Sequence, residues 1–441
     1  MPLSDIASKQ LSEYLCDFIE TSLTPYHVVG SAFDIVTRPL TRSCRCPITV
    51  LFETDSTWKM EADKAYYVER SGSCAALIKF PENITDSPRF SIVAAHTDSP
   101  CLRLKPDPVI ESCGYALLNV ETYGGLVKPA WFDRPLTVAG CVMVASEDGH
   151  IRTTEICLPE IATIPSLAPH LDHDLDRTHP SVQIEMRPVL GKWEDKDMFM
   201  NKVAKAAGCQ TSDIVAFDLM CVPADPASII GINEDIVSAT HLDDQASVFT
   251  ATWALSALDK PSDGNIAVLF LLDNEEVGSR TSCGADSTFV SDVLERICLA
   301  LGQDRAGYMA TLARSFMISA DNAHAIHPNY PGKSDPVNRP PLGGGIALKQ
   351  CASRKYCTTP DSAARFIKMC SNADVPVVYY ANNSDIIGGS TLGNILLSHA
   401  SMPAVDIGIP QLAMHSAREC CHIDDVKSAT RMFAEFFESG A

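Results

Sequence analysis

The sequence predicts an α/β protein: a mostly parallel sheet with helices on both faces, interrupted by a β-rich segment. Three observations carry this. First, "FSIVAAHTDSP" (90–100), "NIAVLFLLDNEE" (265–276), "SFMISADNAH" (315–324) and "PAVDIGIPQLAMHS" (403–416) read as buried strands, each closed by polar residues. Second, helix-like stretches such as "DDQASVFTATWALSAL" (243–258) and "SDVLERICLALG" (291–302) lie between them, and such alternation builds parallel sheets. Third, residues 100–232 read differently: "YALLNVETYGG", "LTVAGCVMVAS" and "HIRTTEICL" are short, alternating and bounded by Gly or Pro.

Taken in order, the N-terminus reads as an amphipathic helix with Leu11, Tyr14, Leu15, Phe18 and Ile19 on one face. It has no basic start followed by an apolar core, so no secretory signal is expected. Residues 1–99 and 233–441 form one discontinuous domain, and 100–232 form a β-rich insertion. Within the insertion, "IPSLAPHLDHDLDRTHP" (164–180) reads as a long loop carrying His170, His173 and His179. Such a loop is either functional or a solvated surface. Further on, "LGGGIAL" (342–348) lacks the surroundings of a phosphate-binding loop and reads as a turn.

At 441 residues the chain has room for two or three domains. No apolar run approaches the ~20 residues of a membrane helix. A net charge of −20 without a basic stripe argues against nucleic acid. The 17 cysteines include no CxxC pair, and Cys44–Cys46 and Cys420–Cys421 are too close for paired zinc-ligand spacing. They read as free thiols in a reducing cytoplasm.

Glu275 and Glu276 stand side by side at the end of a buried strand, where two like charges resist ionising together. A solvated loop or a metal ion would each account for them. The other strand ends offer His96, Asp98, Asp243, Asp321 and His415, imidazoles and carboxylates suited to zinc, manganese or cobalt. Five ligands with one bridging aspartate is the inventory of a hydrolytic metal pair. One glutamate would then ligate and the other act as general base. Asp98, two residues from His96, would hold the other imidazole nitrogen.

The stretches "AAHTDSPCLRLKP", "DNEEVGS", "SADNAHAIHPNYPGK", "GGSTLG" and "PQLAMHSARE" resemble the aspartyl aminopeptidase family of dinuclear zinc metallopeptidases. So do "TPYHVV", "AYYVERSGS" and "ETYGG…WFDRPLTVAG", so the likeness covers nearly the whole chain. The resemblance implies that His96, Asp243 and Asp321 hold one ion and that Asp243, Glu276 and His415 hold the other. Two divalent ions per subunit follow, zinc first and manganese or cobalt as alternatives. Glu275 would be the general base, acting on a bridging water. His170 would reach a neighbouring subunit's active site. Lys349 and Tyr356, in "IALKQCASRKYC", would line the pocket for the substrate's first side chain and favour Asp or Glu.

The resemblance further implies a tetrahedral dodecamer built from dimers through residues 100–232, cleaving short peptides with acidic first residues. A neutral aminopeptidase, a deacylase on the same site and a non-catalytic metal-stabilised binding protein are the alternatives. Two positions depart from the family pattern: Asp244 stands where Asn is usual, and His241 where Arg is common.

Overall fold

The computed structural model describes residues 6–37, 47–171 and 178–441. Cys44, Cys46 and His173 lie outside the described residues. Among the described residues the strands form a nine-stranded sheet, a closed six-stranded barrel and a five-stranded sheet.

The large sheet runs Ile48–Val50, Ala65–Arg70, Cys74–Lys79, Asn265–Leu272, Arg89–His96, Phe316–Ala320, Ala404–Gly408, Ile346–Lys349 and Val377–Tyr380. Its four central strands come from the four apolar runs and pair in parallel. Their alternate residues feed two cores. Val93, Leu269 and Ile318 pack with helices Ser8–Thr21, Leu242–Ala257 and Ile423–Ser439 on one face. Ile92, Phe270 and Met317 pack with Phe289–Ala300 and Leu392–His399 on the other. The helices therefore cover both faces, as a sheet buried on both sides requires. On the N-terminal helix, Leu11, Leu15, Phe18 and Ile19 are buried, and Tyr14 stacks on Trp253 at 5.1 Å.

The strand hydrogen bonding differs from the sequence reading in one respect that matters for the site. Two of the apolar runs are each divided between sheets. Phe316–Ala320 belongs to the large sheet and Ala323–His324 to the small one; likewise Ala404–Gly408 and Pro410–Leu412. The chain steps across at Asp321 and Gly408, which lie against each other. A β-carbon on Gly408 would come 2.2 Å from the Asp321 carbonyl oxygen, so only glycine permits this crossing.

The barrel comprises Cys101–Ser112, Tyr115–Tyr123, Pro135–Ala145, Ile151–Thr163, Val189–Lys192 and Ile214–Pro223, around its own core. Beyond it, Ser228–Ile230 pairs with Ile236–Ala239 in the small sheet, whose order continues through Glu419–His422, Pro410–Leu412 and Ala323–His324. Among the described residues no helix is long and apolar enough to cross a membrane.

Candidate active site

Five polar side chains converge beyond the carboxyl ends of the central strands, where open α/β sheets gather their ligands. The large sheet delivers three of them: His96 ends Arg89–His96, Glu276 follows Asn265–Leu272, and Asp321 directly follows Phe316–Ala320. The small sheet delivers the other two. Asp243 follows Ile236–Ala239, and His415 follows Pro410–Leu412. Ligand atoms of His96, Asp243 and Asp321 lie within 4.8 Å of one another, as do those of Asp243, Glu276 and His415. Asp243 belongs to both groups. These residues line a cavity of about 500 Å³, together with Glu275, His324, Lys349, Tyr356, Tyr380 and Ser390.

The protons on the two imidazoles decide what this cluster binds. His96 Nδ1 lies 2.9 Å from the Asp98 carbonyl oxygen, and His415 Nδ1 lies 3.1 Å from that of Gly125. A carbonyl only accepts, so Nδ1 carries hydrogen in both rings. Nε2 is then the free nitrogen, and it faces acceptors. His96 Nε2 is 3.4 Å from Asp243 Oδ1; His415 Nε2 is 3.6 Å from Asp243 Oδ2 and 3.2 Å from Glu276 Oε1. Asp243 Oδ1 and Glu276 Oε1 are buried and accept no hydrogen bond among the described residues. Lone pairs facing lone pairs call for a cation between them. Without one, the rings must hold extra protons: burial opposes this, but Asp243 and Glu276 raise His415 to about 11, and Asp243 and Asp98 raise His96 well above its ordinary value. A divalent ion replaces those protons, so the residues fit a metal pair.

A ring of supporting acids surrounds the cluster. Asp98 lies against His96 Nδ1 through its backbone carbonyl at 2.9 Å and a carboxylate oxygen at 3.4 Å. Its carboxylate also accepts the amides of Glu275 and Glu276 at 3.0 and 3.1 Å and the Tyr123 hydroxyl at 2.7 Å. That grip fixes the short 3-10 turn Glu275–Val277. Asn274, left-handed at φ 64°, donates to Tyr123 at 2.9 Å. Burial pushes Glu275 well above the usual carboxylate range, with Asp321 and Glu276 adding to it. Asp244, fully buried, accepts the His96 amide at 3.3 Å, and burial raises its carboxyl far above the ordinary value. His241, three residues earlier, is buried with neither ring nitrogen hydrogen-bonded among the described residues, and burial lowers it to about 4.

Lys349 and Tyr356 line the same cavity, with the ammonium 5.7 Å from the Tyr356 ring centre. Lys349 Nζ also lies 3.3 Å from Asp321 Oδ1, a pairing that sequence reasoning did not anticipate. His170 sits exposed in Pro169–Leu171 and does not line this chain's cavity. Sequence reasoning missed Tyr123, Gly124, Gly125, His324 and Glu419. The first three lie in "ETYGG", where Gly124 has φ 68° and a β-carbon would come 3.1 Å from that of Glu276. Paired glycines after a strand were the signal available there.

Residues 18–437 match the profile of a family described as aminopeptidase I zinc metalloprotease (M18). A probable M18 family aminopeptidase 2 of Clostridium novyi is 38% identical over 431 residues, covering 96% of this chain and 97% of that protein. Among solved structures, the cryo-EM structure of the Ape4 and Nbr1 complex matches with TM-score 0.92 and 32% identity, over 99% of this chain and 87% of that one. Chaetomium thermophilum mApe1 matches with TM-score 0.88 and 26% identity, over 98% of each chain.

Proposed function

The chain belongs to the aminopeptidase I zinc metalloprotease (M18) family, and from that premise we propose that it removes an N-terminal Asp or Glu from short peptides. Membership makes it a zinc metallo-aminopeptidase; the acidic preference and the two-ion mechanism are our reading. The observation that carries the mechanism is the convergence of two imidazole Nε2 atoms on the orphaned oxygens of Asp243 and Glu276, with Glu275 beside them.

In this reading His96, Asp243 and Asp321 hold one ion, and Asp243, Glu276 and His415 hold the other. Two zinc ions there would polarise the scissile carbonyl and activate the attacking water, with manganese or cobalt as substitutes. Glu275 accepts the water's proton and returns it to the leaving amine. Asp98 keeps Glu275 aimed by holding its amide. Lys349, with Tyr356 beside it, pairs with the substrate's acidic side chain.

The contact between Lys349 and Asp321 favours a second reading, a neutral aminopeptidase, in which that charge is spent on Asp321. Initial rates on dipeptides beginning with Asp, Glu, Leu and Lys separate the two. Activity led by Asp and Glu, lost to chelator and restored by zinc, is expected. Lys349→Leu should then lower the preference for Asp over Leu by roughly tenfold or more. Metal-dependent activity led by Leu, unchanged in ranking by Lys349→Leu, would discard the acidic pocket.

We also read residues 100–232 as an assembly domain, and the whole as a dodecamer in which His170 enters a neighbour's site and helps stabilise the reacting carbonyl. The support is local: exposed Leu167 and Leu171 flank the exposed His170, an arrangement suited to burial against another copy. Protomers separated by dilution should retain zinc but lose most turnover; full-rate hydrolysis by isolated protomers would remove His170 from the mechanism. Among the described residues the cysteines are free thiols, in keeping with a cytoplasmic protein.

A further inference from the structure

We infer that Glu419 is a positioning residue that sets the backbone of two metal-holding turns at once; this rests on the two-ion reading above. Glu419 is 2% exposed, and its carboxylate accepts two amides. Oε2 takes the Asp243 N–H at 3.0 Å, and Oε1 takes the His415 N–H at 2.6 Å.

Topology explains why one side chain reaches both. Glu419–His422 is the middle strand of the small sheet, flanked by Ile236–Ala239 and Pro410–Leu412. The first neighbour leads into Asp243 and the second into His415. Glu419 pairs with Ala239 at the end of the ladder, so its side chain stands where both turns leave the sheet. Both turns need holding. His415 has φ 65° and Ala413 has φ 58°, while His241, two residues before Asp243, has φ 56°. Residues with β-carbons persist there only where surrounding contacts fix them.

The arrangement repeats that of Asp98, which accepts the consecutive amides of Glu275 and Glu276. Glu419 does the same for two residues 172 positions apart in the chain. Its reach is unequal across the metal pair. The ion of Asp243, Glu276 and His415 depends on both amides; the ion of His96, Asp243 and Asp321 depends on one. Removing Glu419 should therefore loosen the first ion more than the second.

The experiment is equilibrium dialysis of assembled protein against buffered free zinc, with bound zinc counted per protomer. The unaltered protein should bind two ions. Glu419→Gln, which sets an amide donor against one of the backbone donors, should weaken the ion of His96, Asp243 and Asp321 the less. The other should weaken by about 10–100-fold, the usual cost of losing an outer support. Cobalt absorption at each occupancy identifies which ion is affected. Should Glu419→Gln fail to fold, Glu419→Asp keeps the charge but is one methylene short of spanning both amides, and should give a smaller shift of the same ion. Zinc titrations that superimpose on the unaltered protein's, or two ions weakened equally, would overturn the inference. Fewer than two ions in the unaltered protein would instead overturn the two-ion reading.

Discussion

Glu275→Gln is expected to lower kcat on an Asp-first dipeptide by about 10²–10⁴-fold while leaving bound zinc and KM close to their original values. General-base catalysis contributes that much, and the amide keeps the size of the side chain while giving up its basicity. The Glu275 backbone amide, which carries the link to Asp98, is untouched by the change. Zinc should stay because Glu275 belongs to neither converging group. A Glu275→Gln enzyme retaining more than a tenth of its turnover would transfer the base's role elsewhere. One that lost zinc would instead make Glu275 a ligand.

Asp243→Asn should be more damaging and in a different way. Asp243 is the shared member of the two groups, and both imidazoles are aimed at it. Replacing one of its oxygens by an NH2 group sets a donor where a cation should sit. Zinc bound per protomer should fall below one, and turnover should drop by about 10³-fold or more, since metal polarisation is worth several kcal/mol and each 1.36 is a factor of ten. Excess zinc should not restore it. An Asp243→Asn protein that keeps both ions would exclude the bridge.

Most of this site could be read from residues at the ends of apolar runs, because a buried strand announces itself by composition and the polar residue closing it stands out. Hence His96, Asp243, Glu275, Glu276, Asp321 and His415 all stand out as candidates in the sequence. What could not be read depends on contacts across long stretches of chain. Glu419 sits in "HSARE", a polar stretch that looks solvated, and only the small sheet reveals that it is buried between two turns. The division of "SFMISADNAH" and "PAVDIGIPQLAMHS" between two sheets is equally hidden, since each run reads as one strand until Gly408 meets Asp321. Lys349 and Asp321 illustrate a third limit: the resemblance gives each a separate role, pocket lysine and metal ligand, and their 3.3 Å contact joins those roles.

Barrel and sheet body have separate apolar cores, yet the barrel holds the site from outside. Tyr123 grips Asp98, Gly125 fixes the His415 ring, and Val127 donates its amide to the His415 carbonyl at 3.0 Å. The barrel is thus a clamp on the site rather than an ornament beside it. A shortened descendant of this chain that discarded the barrel would keep His96, Asp243, Glu275, Glu276, Asp321 and His415, and would lose the Gly125 carbonyl that orients the His415 ring. The short run that closes the barrel's second strand and follows it, from Tyr123 to Val127, is tied to the site at Asp98 and His415.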